Sequence, residues 1–134
     1  MIHLDTSFVV DLLREADRGS EGPASRLLGR VQDQELGMSV FVACELAAGA
    51  AMSKRPVEEK RKVERLCSGL SIHYPDDRFP AAYGSLLAVL ERGPGRVSTM
   101  DLLIATSALI AEASLVTRNA KDFSRVPGLD ILGY

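Results

Sequence analysis

Residues 1–13 read MIHLDTSFVVDLL, a short apolar run followed by a carboxylate and then by a helical pattern. Residues 2–4 predict a buried strand, Asp5 stands at its carboxyl end, and apolar residues from Phe8 onward recur at helical spacing. In open α/β sheets, ligands bind outside the carboxyl ends of the strands, so a carboxylate there is a candidate metal ligand. The stretch therefore predicts an α/β fold with a site at one edge of the sheet.

The alternation of strand and helix continues along the rest of the chain. Further strands are predicted at residues 35–38, 70–74, 115–117 and 129–132, with apolar helical patterns between them. Strands that alternate with helices imply a mainly parallel sheet covered on both faces. A chain of 134 residues has the usual size of one domain, so a single domain over residues 1–134 is expected.

Composition narrows the class of protein. Hydrophobic residues make up 46% and charged residues 25% of the sequence, as in ordinary globular domains. It contains neither an apolar run of membrane-spanning length nor the layout of a secretion signal, so a cytoplasmic protein without a membrane span is expected. Cys44 and Cys67 lie far apart and are expected to be reduced. The formal net charge of −2 does not by itself indicate a nucleic-acid partner.

Four acidic residues lie beside predicted strand ends or on apolar helices: Asp5, Glu45, Asp101 and Asp122. Each also has a purely structural interpretation. Asp5 could be a helix N-cap, and Glu45 could lie on an exposed helix stripe. Asp101 could favour the helix dipole near an N-cap at Ser98, and Asp122 could be a turn residue.

Taken together, the four acids favour a metal site. Carboxylates that converge without a cation repel one another, and a divalent ion removes that repulsion. Oxygen ligands suit Mg²⁺ or Mn²⁺, and a water bound to such an ion can become a nucleophile. The histidines, His3 and His73, have no cluster of zinc ligands around them in the sequence. The sequence also lacks a nucleophile elbow and a glycine-rich phosphate loop.

Basic residues concentrate in one stretch and have two interpretations. The first is a solvated helix face with ion pairs at Glu58–Lys62 and Lys60–Glu64, and the second is a surface that follows a phosphate backbone. Few aromatic residues are present, so base stacking is not expected to contribute much. The basic residues of this stretch are Lys54, Arg55, Lys60, Arg61, Lys62 and Arg65.

Four motifs that contain the acids follow one another along the chain: Asp5-Thr6-Ser7, Glu45-Leu46-Ala47-Ala48-Gly49, Asp101-Leu102-Leu103-Ile104-Ala105 and Thr117-Arg118-Asn119-Ala120-Lys121-Asp122-Phe123. They occur in the order seen in PIN-domain proteins, and the chain resembles in particular the VapC toxins of bacterial toxin–antitoxin pairs. The resemblance covers essentially the full length. It implies a three-layer α/β/α sandwich around a mainly parallel sheet and Mg²⁺- or Mn²⁺-dependent cleavage of RNA, such as a tRNA or rRNA. It also implies inhibition by a cognate VapB-like antitoxin, and a homodimer.

The resemblance assigns Asp5, Glu45 and Asp101 to the three central acids of the family. The fourth position is open, because some members have an acid where this chain has Asn119 and others have it three residues later, at Asp122. The hypothesis is that Asp5 and Asp101 hold the metal directly, while Glu45 and Asp122 act directly or through water. One of these last two would orient or deprotonate the attacking water. The expected supporting or phosphate-contacting residues are Thr6, Ser7, Thr117 and Asn119.

Three other functions compete with this interpretation. A DNA nuclease would use the same kind of site, since a metal held by carboxylates does not itself read the 2′-hydroxyl of RNA. A binding module could have kept the acids without catalysis. A phosphoacceptor signalling domain would need a lysine after the last strand, and none follows there, although Asp76 and Asp77 follow the third strand.

Overall fold

The computed structural model describes all 134 residues as alternating strands and helices. Five short strands alternate with seven helices, as the sequence pattern predicts. In chain order they are β1 (Ile2–Leu4), α1 (Thr6–Arg18), α2 (Pro23–Val31), β2 (Leu36–Ser39), α3 (Val40–Ala51), α4 (Pro56–Cys67), β3 (Ser71–His73), α5 (Phe79–Arg92), α6 (Thr99–Ile110), β4 (Ser114–Val116), α7 (Ala120–Phe123) and β5 (Ile131–Leu132).

All five strands form one parallel sheet in the order β3-β2-β1-β4-β5. The chain moves outward from β1 through β2 to β3 and then returns to place β4 on the other side of β1. Ile2 pairs with Leu36 on one side and with Ser114 on the other. The order of strands therefore reverses between β1 and β4, and a crevice at such a point is where α/β sheets bind ligands. The predicted fold class is confirmed.

The core lies between the central strands and the helices that cover them. The buried face of α1 contributes Phe8 and Leu12, and the central strands contribute Leu4 and Leu115. Phe123 of the short helix α7 is also completely buried, which anchors the segment after β4 to the core. Burial of such side chains is the main favourable term for folding, at about 25 cal/mol per Å² of apolar surface.

A glycine in β2 allows the two histidines to meet across the sheet. Gly37 pairs with His3 of β1 and with Ser71 of β3. A Cβ at Gly37 would lie 2.7 Å from Ser71 Oγ and 3.1 Å from His73 Nε2. The rings of His3 and His73 lie 4.6 Å apart, and burial together with the charge of His73 lowers the pKa of His3 to about 4. His3 is therefore neutral and packed within the sheet at neutral pH.

The structure corrects one predicted ion pair and several element ends. Lys62 lies against α1 and pairs with Asp17 at 3.1 Å and with Glu59 at 3.2 Å, so the predicted pair with Glu58 is wrong. Glu58 pairs instead with Arg55. The Lys60–Glu64 pair is present at 3.9 Å. The first helix begins at residue 6, earlier than predicted, and the strands predicted at residues 70–74 and 129–132 are shorter, at Ser71–His73 and Ile131–Leu132.

Cys44 is exposed on α3, Cys67 is partly buried at the end of α4, and both are free thiols. None of the seven helices combines the length and the apolar character needed to cross a bilayer.

Candidate active site

Asp5 occupies the N-cap position of α1 directly after β1, yet its side chain does not cap the helix. Its backbone carbonyl accepts from the N–H groups of Phe8 and Val9, while its own N–H donates to Val116 of β4 at 3.0 Å. The residue is only 3% exposed. The backbone of Asp5 thus joins the two central strands to α1, and its carboxylate is left free of the capping role that the sequence allowed.

Two hydroxyl groups hold the Asp5 carboxylate. Ser7 Oγ donates to Asp5 Oδ2 at 2.9 Å, and Thr117 Oγ1 donates to the same oxygen at 2.7 Å. Each hydroxyl also accepts a backbone N–H from the segment after β4, Ser7 from Arg118 at 3.1 Å and Thr117 from Asn119 at 2.9 Å. These four bonds fix the carboxylate against the loop between β4 and α7 and leave Asp5 Oδ1 without a donor.

Glu45 reaches the same edge of the sheet from α3. It is partly buried, and its Oε1 accepts from Thr6 Oγ1 at 2.6 Å. Helix α3 contains no lysine or arginine, so no basic side chain of this helix offsets the charge of Glu45. Its neighbours Ala47 and Ala48 are small and exposed. Thr6 therefore orients Glu45, and Oε2 remains without a hydrogen bond.

Asp101 lies in the first turn of α6, whose N-cap is Ser98. Ser98 Oγ accepts from the backbone N–H of Asp101 at 3.1 Å, so the capping bond predicted here is present. Burial raises the pKa of Asp101, and the negative charges of Asp5, Glu45 and Asp122 raise it further. The other three acids therefore lie close enough to Asp101 to repel its charge, although the four acids come from separate elements.

Asp122 and Asn119 lie at the open side of this group. Asp122 is exposed on α7, with its backbone N–H donating to the carbonyl of Asn119. Asn119 holds the N-cap position of α7, but its side chain makes no capping bond. Of the two candidates for the fourth position, only Asp122 adds negative charge.

The donor set fits a hard divalent cation in chemistry. All four acids offer oxygen ligands, and none of the four forms an ion pair with a basic side chain. No three His, Cys, Asp or Glu side chains are arranged closely enough to hold a metal ion as they stand. Asp5 is fixed by two hydroxyls, and the other three carboxylates are more exposed than Asp5.

The sequence interpretation missed a second carboxylate site, at the far end of α1. Glu15 is 4% exposed, and its side chain accepts from Ala24 N at 3.0 Å, from Ser25 N at 2.9 Å and from Ser25 Oγ at 2.6 Å. It caps α2, whose own N-cap, Gly22, has no side chain. Burial alone would raise the pKa of Glu15, but the hydrogen bonds from Ser25 and Ala24 outweigh burial and lower it to about 2. The sequence did contain a signal for this buried acid, because Glu15 lies on the same helical face as Phe8.

A third group, also missed, surrounds Asp11. Arg118 Nη1 donates to Asp11 Oδ1 at 2.8 Å, and Tyr134 Oη donates to Asp11 Oδ2 at 2.6 Å. The Tyr134 ring packs edge-on against Phe8 at 5.0 Å. Burial and the Asp11 carboxylate both raise the pKa of Tyr134. Sequence spacing gave no signal here, because the partners are more than 100 residues from Asp11.

Comparison with known proteins gives consistent matches along the chain. The PIN domain family matches residues 2–129. Ribonuclease VapC2 of Rickettsia felis is 33% identical over 98 residues, 73% of each chain. Ribonuclease VapC1 of Haemophilus influenzae (strain R2866) is 29% identical over 126 residues, 94% of this chain and 92% of that protein. The crystal structure of VapBC2 from Rickettsia felis bound to a DNA fragment from their promoter superposes with a TM-score of 0.89 at 28% identity, covering 100% of this chain and 99% of that chain.

Proposed function

The chain belongs to the PIN domain family, within its VapC group, and we propose that it is a cytoplasmic metal-dependent endoribonuclease, the toxin of a toxin–antitoxin pair. The observation that carries this proposal is the group of four carboxylates at the β1–β4 switch point. They have no basic partner, the charges of the other three raise the pKa of Asp101, and Asp5 alone is held by two hydroxyl groups. The substrate class follows from relatives that are named ribonucleases.

Asp5 and Asp101 would hold Mg²⁺ or Mn²⁺, with Glu45 and Asp122 contributing directly or through water. When bound, such a cation lowers the pKa of a coordinated water and offsets charge on the scissile phosphate. Ser7 and Thr117 keep Asp5 in one orientation, so that Oδ1 stays available. Ordered donors of this kind reduce the reorganisation that catalysis would otherwise require.

Glu45 would take the proton of the attacking water. Thr6 holds its Oε1, and Oε2 is free to accept a proton. Asp122 is the other acid that could accept it, from the exposed side of the group. The N–H groups of Arg118 and Asn119 are already used by Ser7 and Thr117, so these two residues would contact phosphate only through their side chains.

The test is a cleavage assay with purified protein on total RNA and on single-stranded DNA. We expect RNA cleavage that chelation abolishes and that Mg²⁺ or Mn²⁺ restores, with little turnover in Ca²⁺ because its looser coordination positions water poorly. Asp76→Asn is the matched control for Asp5→Asn and Asp101→Asn, since Asp76 is an exposed acid that pairs with Arg78. Full activity after exhaustive chelation would contradict the metal requirement, and cleavage of DNA alone would identify a DNA nuclease.

We also propose that a VapB-like antitoxin inhibits the protein. Structures related to this chain are of VapBC complexes. The unpaired carboxylates suit an arginine or lysine from an inhibitor, because a guanidinium matches carboxylates in charge and in hydrogen-bond geometry. A short gene beside this one should encode the inhibitor. Co-expression should restore growth, and tolerance of this protein alone at high expression would count against a toxin.

Self-association is proposed from the surface of α5. This helix is largely apolar, yet Phe79 is its only buried residue, and Leu87 and Val89 are 37% and 47% exposed. An exposed apolar helix face usually marks an interface. Light scattering should report a dimer, and Leu87→Glu should give a monomer, with exposed Glu91→Gln on the same helix as the control.

A further inference from the structure

A pocket lined by three arginines lies next to the carboxylate site. It has a volume of about 310 Å³, at the lower end of the range of small-molecule sites. Its arginines come from both ends of the chain: Arg14 and Arg18 from α1, and Arg118 from the segment after β4. Such a concentration of guanidinium groups stands out in a protein whose formal net charge is −2.

One face of α1 leads from the acids to this pocket. Ser7, Asp11, Arg14 and Arg18 follow one another at spacings that place them on the same side of a helix. Ser7 donates to Asp5, and Arg118 directly follows Thr117, the other donor to Asp5. Arg14 also borders the groove that contains Thr6 and Glu45. The arginine pocket therefore adjoins the acidic site through Arg14 and Arg118.

The positive charge of the pocket is only partly neutralised. Asp11 binds Arg118 at 2.8 Å and approaches Arg14 at 3.8 Å, while Arg18 forms no ion pair. The second carboxylate nearby, Glu15, is already committed to the N–H groups of α2. Side chains of Arg14 and Arg118 are 62% and 51% exposed, so both can reach a ligand.

We propose that this arginine pocket binds a backbone phosphate of the RNA, away from the bond that is cut. The inference rests on the proposed nuclease function and deepens it. Four clustered carboxylates repel a polyanion, so the enzyme needs a nearby cationic surface to retain its substrate. Guanidinium groups match phosphate by two parallel hydrogen bonds. Asp11 has a positioning role, because it holds Arg118 and Tyr134 at the rim of the pocket.

The test measures binding of a short labelled single-stranded RNA of mixed sequence, with Asp101→Asn present in every protein to prevent cleavage. The double variant Arg14→Gln/Arg18→Gln should weaken binding on the order of tenfold at low salt. The slope of log affinity against log salt should become shallower by about 0.7 for each lost phosphate contact. Arg14→Lys/Arg18→Lys should restore the slope but only part of the affinity, because lysine lacks the planar fork.

The matched control is Arg61→Gln/Arg65→Gln, which removes the same charge from two exposed arginines of α4 that form no ion pair. We expect this control to bind RNA as the parent does. Equal losses in both double variants, or a loss only in the α4 variant, would overturn the assignment. Unchanged RNA binding with weaker inhibition by the antitoxin would also overturn it, and would assign the pocket to an acidic segment of that protein.

The nuclease proposal is tested separately in proteins that keep Asp101. If these proteins bind RNA through Arg14 and Arg18 but cut no RNA under any metal condition, the pocket assignment stands and the nuclease function fails. If they cut RNA and the arginine pair has no effect on binding or on KM, the nuclease function stands and the pocket assignment fails.

Discussion

Glu15 and Asp101 are both carboxylates beside the start of a helix, but their surroundings are opposite. Glu15 receives three hydrogen bonds, and its pKa falls to about 2. Burial and three neighbouring acids instead raise the pKa of Asp101. A carboxylate with donors stabilises the fold, whereas one facing other carboxylates destabilises it until a cation arrives. The surroundings of a carboxylate, donors in one case and other acids in the other, thus distinguish a structural site from a candidate functional site.

The largest effect should come from removing one of the unpaired charges. Asp101→Asn or Asp5→Asn should lower RNA cleavage on the order of 100-fold or more, because each removes an expected metal ligand. For Asp101→Asn the free energy of unfolding should stay the same or rise, since carboxylate repulsion falls. Cleavage rate and unfolding midpoint should be measured on the same preparations. Two active variants would show that the site has been assigned to the wrong acids.

The next prediction tests whether Asp122 or Asn119 is the fourth residue of the unpaired group. Asp122→Asn should weaken activity and its metal dependence on the order of tenfold, whereas Asn119→Ala should have a smaller effect, because only Asp122 contributes charge. Asn119→Asp should be tolerated. A metal titration of the cleavage rate for the three variants measures this. If Asp122→Asn behaves like the parent while Asn119→Ala is inactive, the prediction is wrong. The site would then consist of three acids and the side-chain amide of Asn119.

The structural carboxylate should give the reverse pattern. Glu15→Gln should lower the unfolding midpoint by several degrees, because an amide cannot accept from all three donors and places its own N–H groups against those of α2. Cleavage well below that midpoint should be nearly unchanged. Glu21→Gln is the matched control, as an exposed glutamate just before α2 that makes no hydrogen bond. A large activity loss without destabilisation would place Glu15 in the functional site.

The smallest effect is the pH dependence of that stabilisation. The folded pKa of Glu15 lies below its ordinary value of 4.5, so the stabilisation is fully present above about pH 4.5. It should be lost as the pH falls toward 2, where the folded carboxyl takes up its proton. The difference in unfolding midpoint between the parent and Glu15→Gln should therefore narrow over this range. A difference independent of pH would mean that Glu15 acts through packing instead of charge.

Local signals were reliable for the elements and for one helix cap, whose interaction partners are close in sequence. The alternation of strands and helices, the N-cap Ser98 and the position of Asp5 after β1 were all predicted. The reason is that capping bonds and periodic burial depend on residues a few positions apart. The predicted Glu58–Lys62 pair is wrong because α4 packs against α1, and this packing brings Asp17 close to Lys62.

The sequence by itself determined the class of fold, the order of its elements and the four acids at strand and helix ends. Only the tertiary structure decided which polar groups those acids meet. Thr117 reaches Asp5 across 112 residues because β4 returns beside β1, and Glu15 caps α2 because the turn at Gly22 folds that helix back onto α1. Strand order and helix packing minimise free energy over the whole chain, so no local spacing encodes such partners.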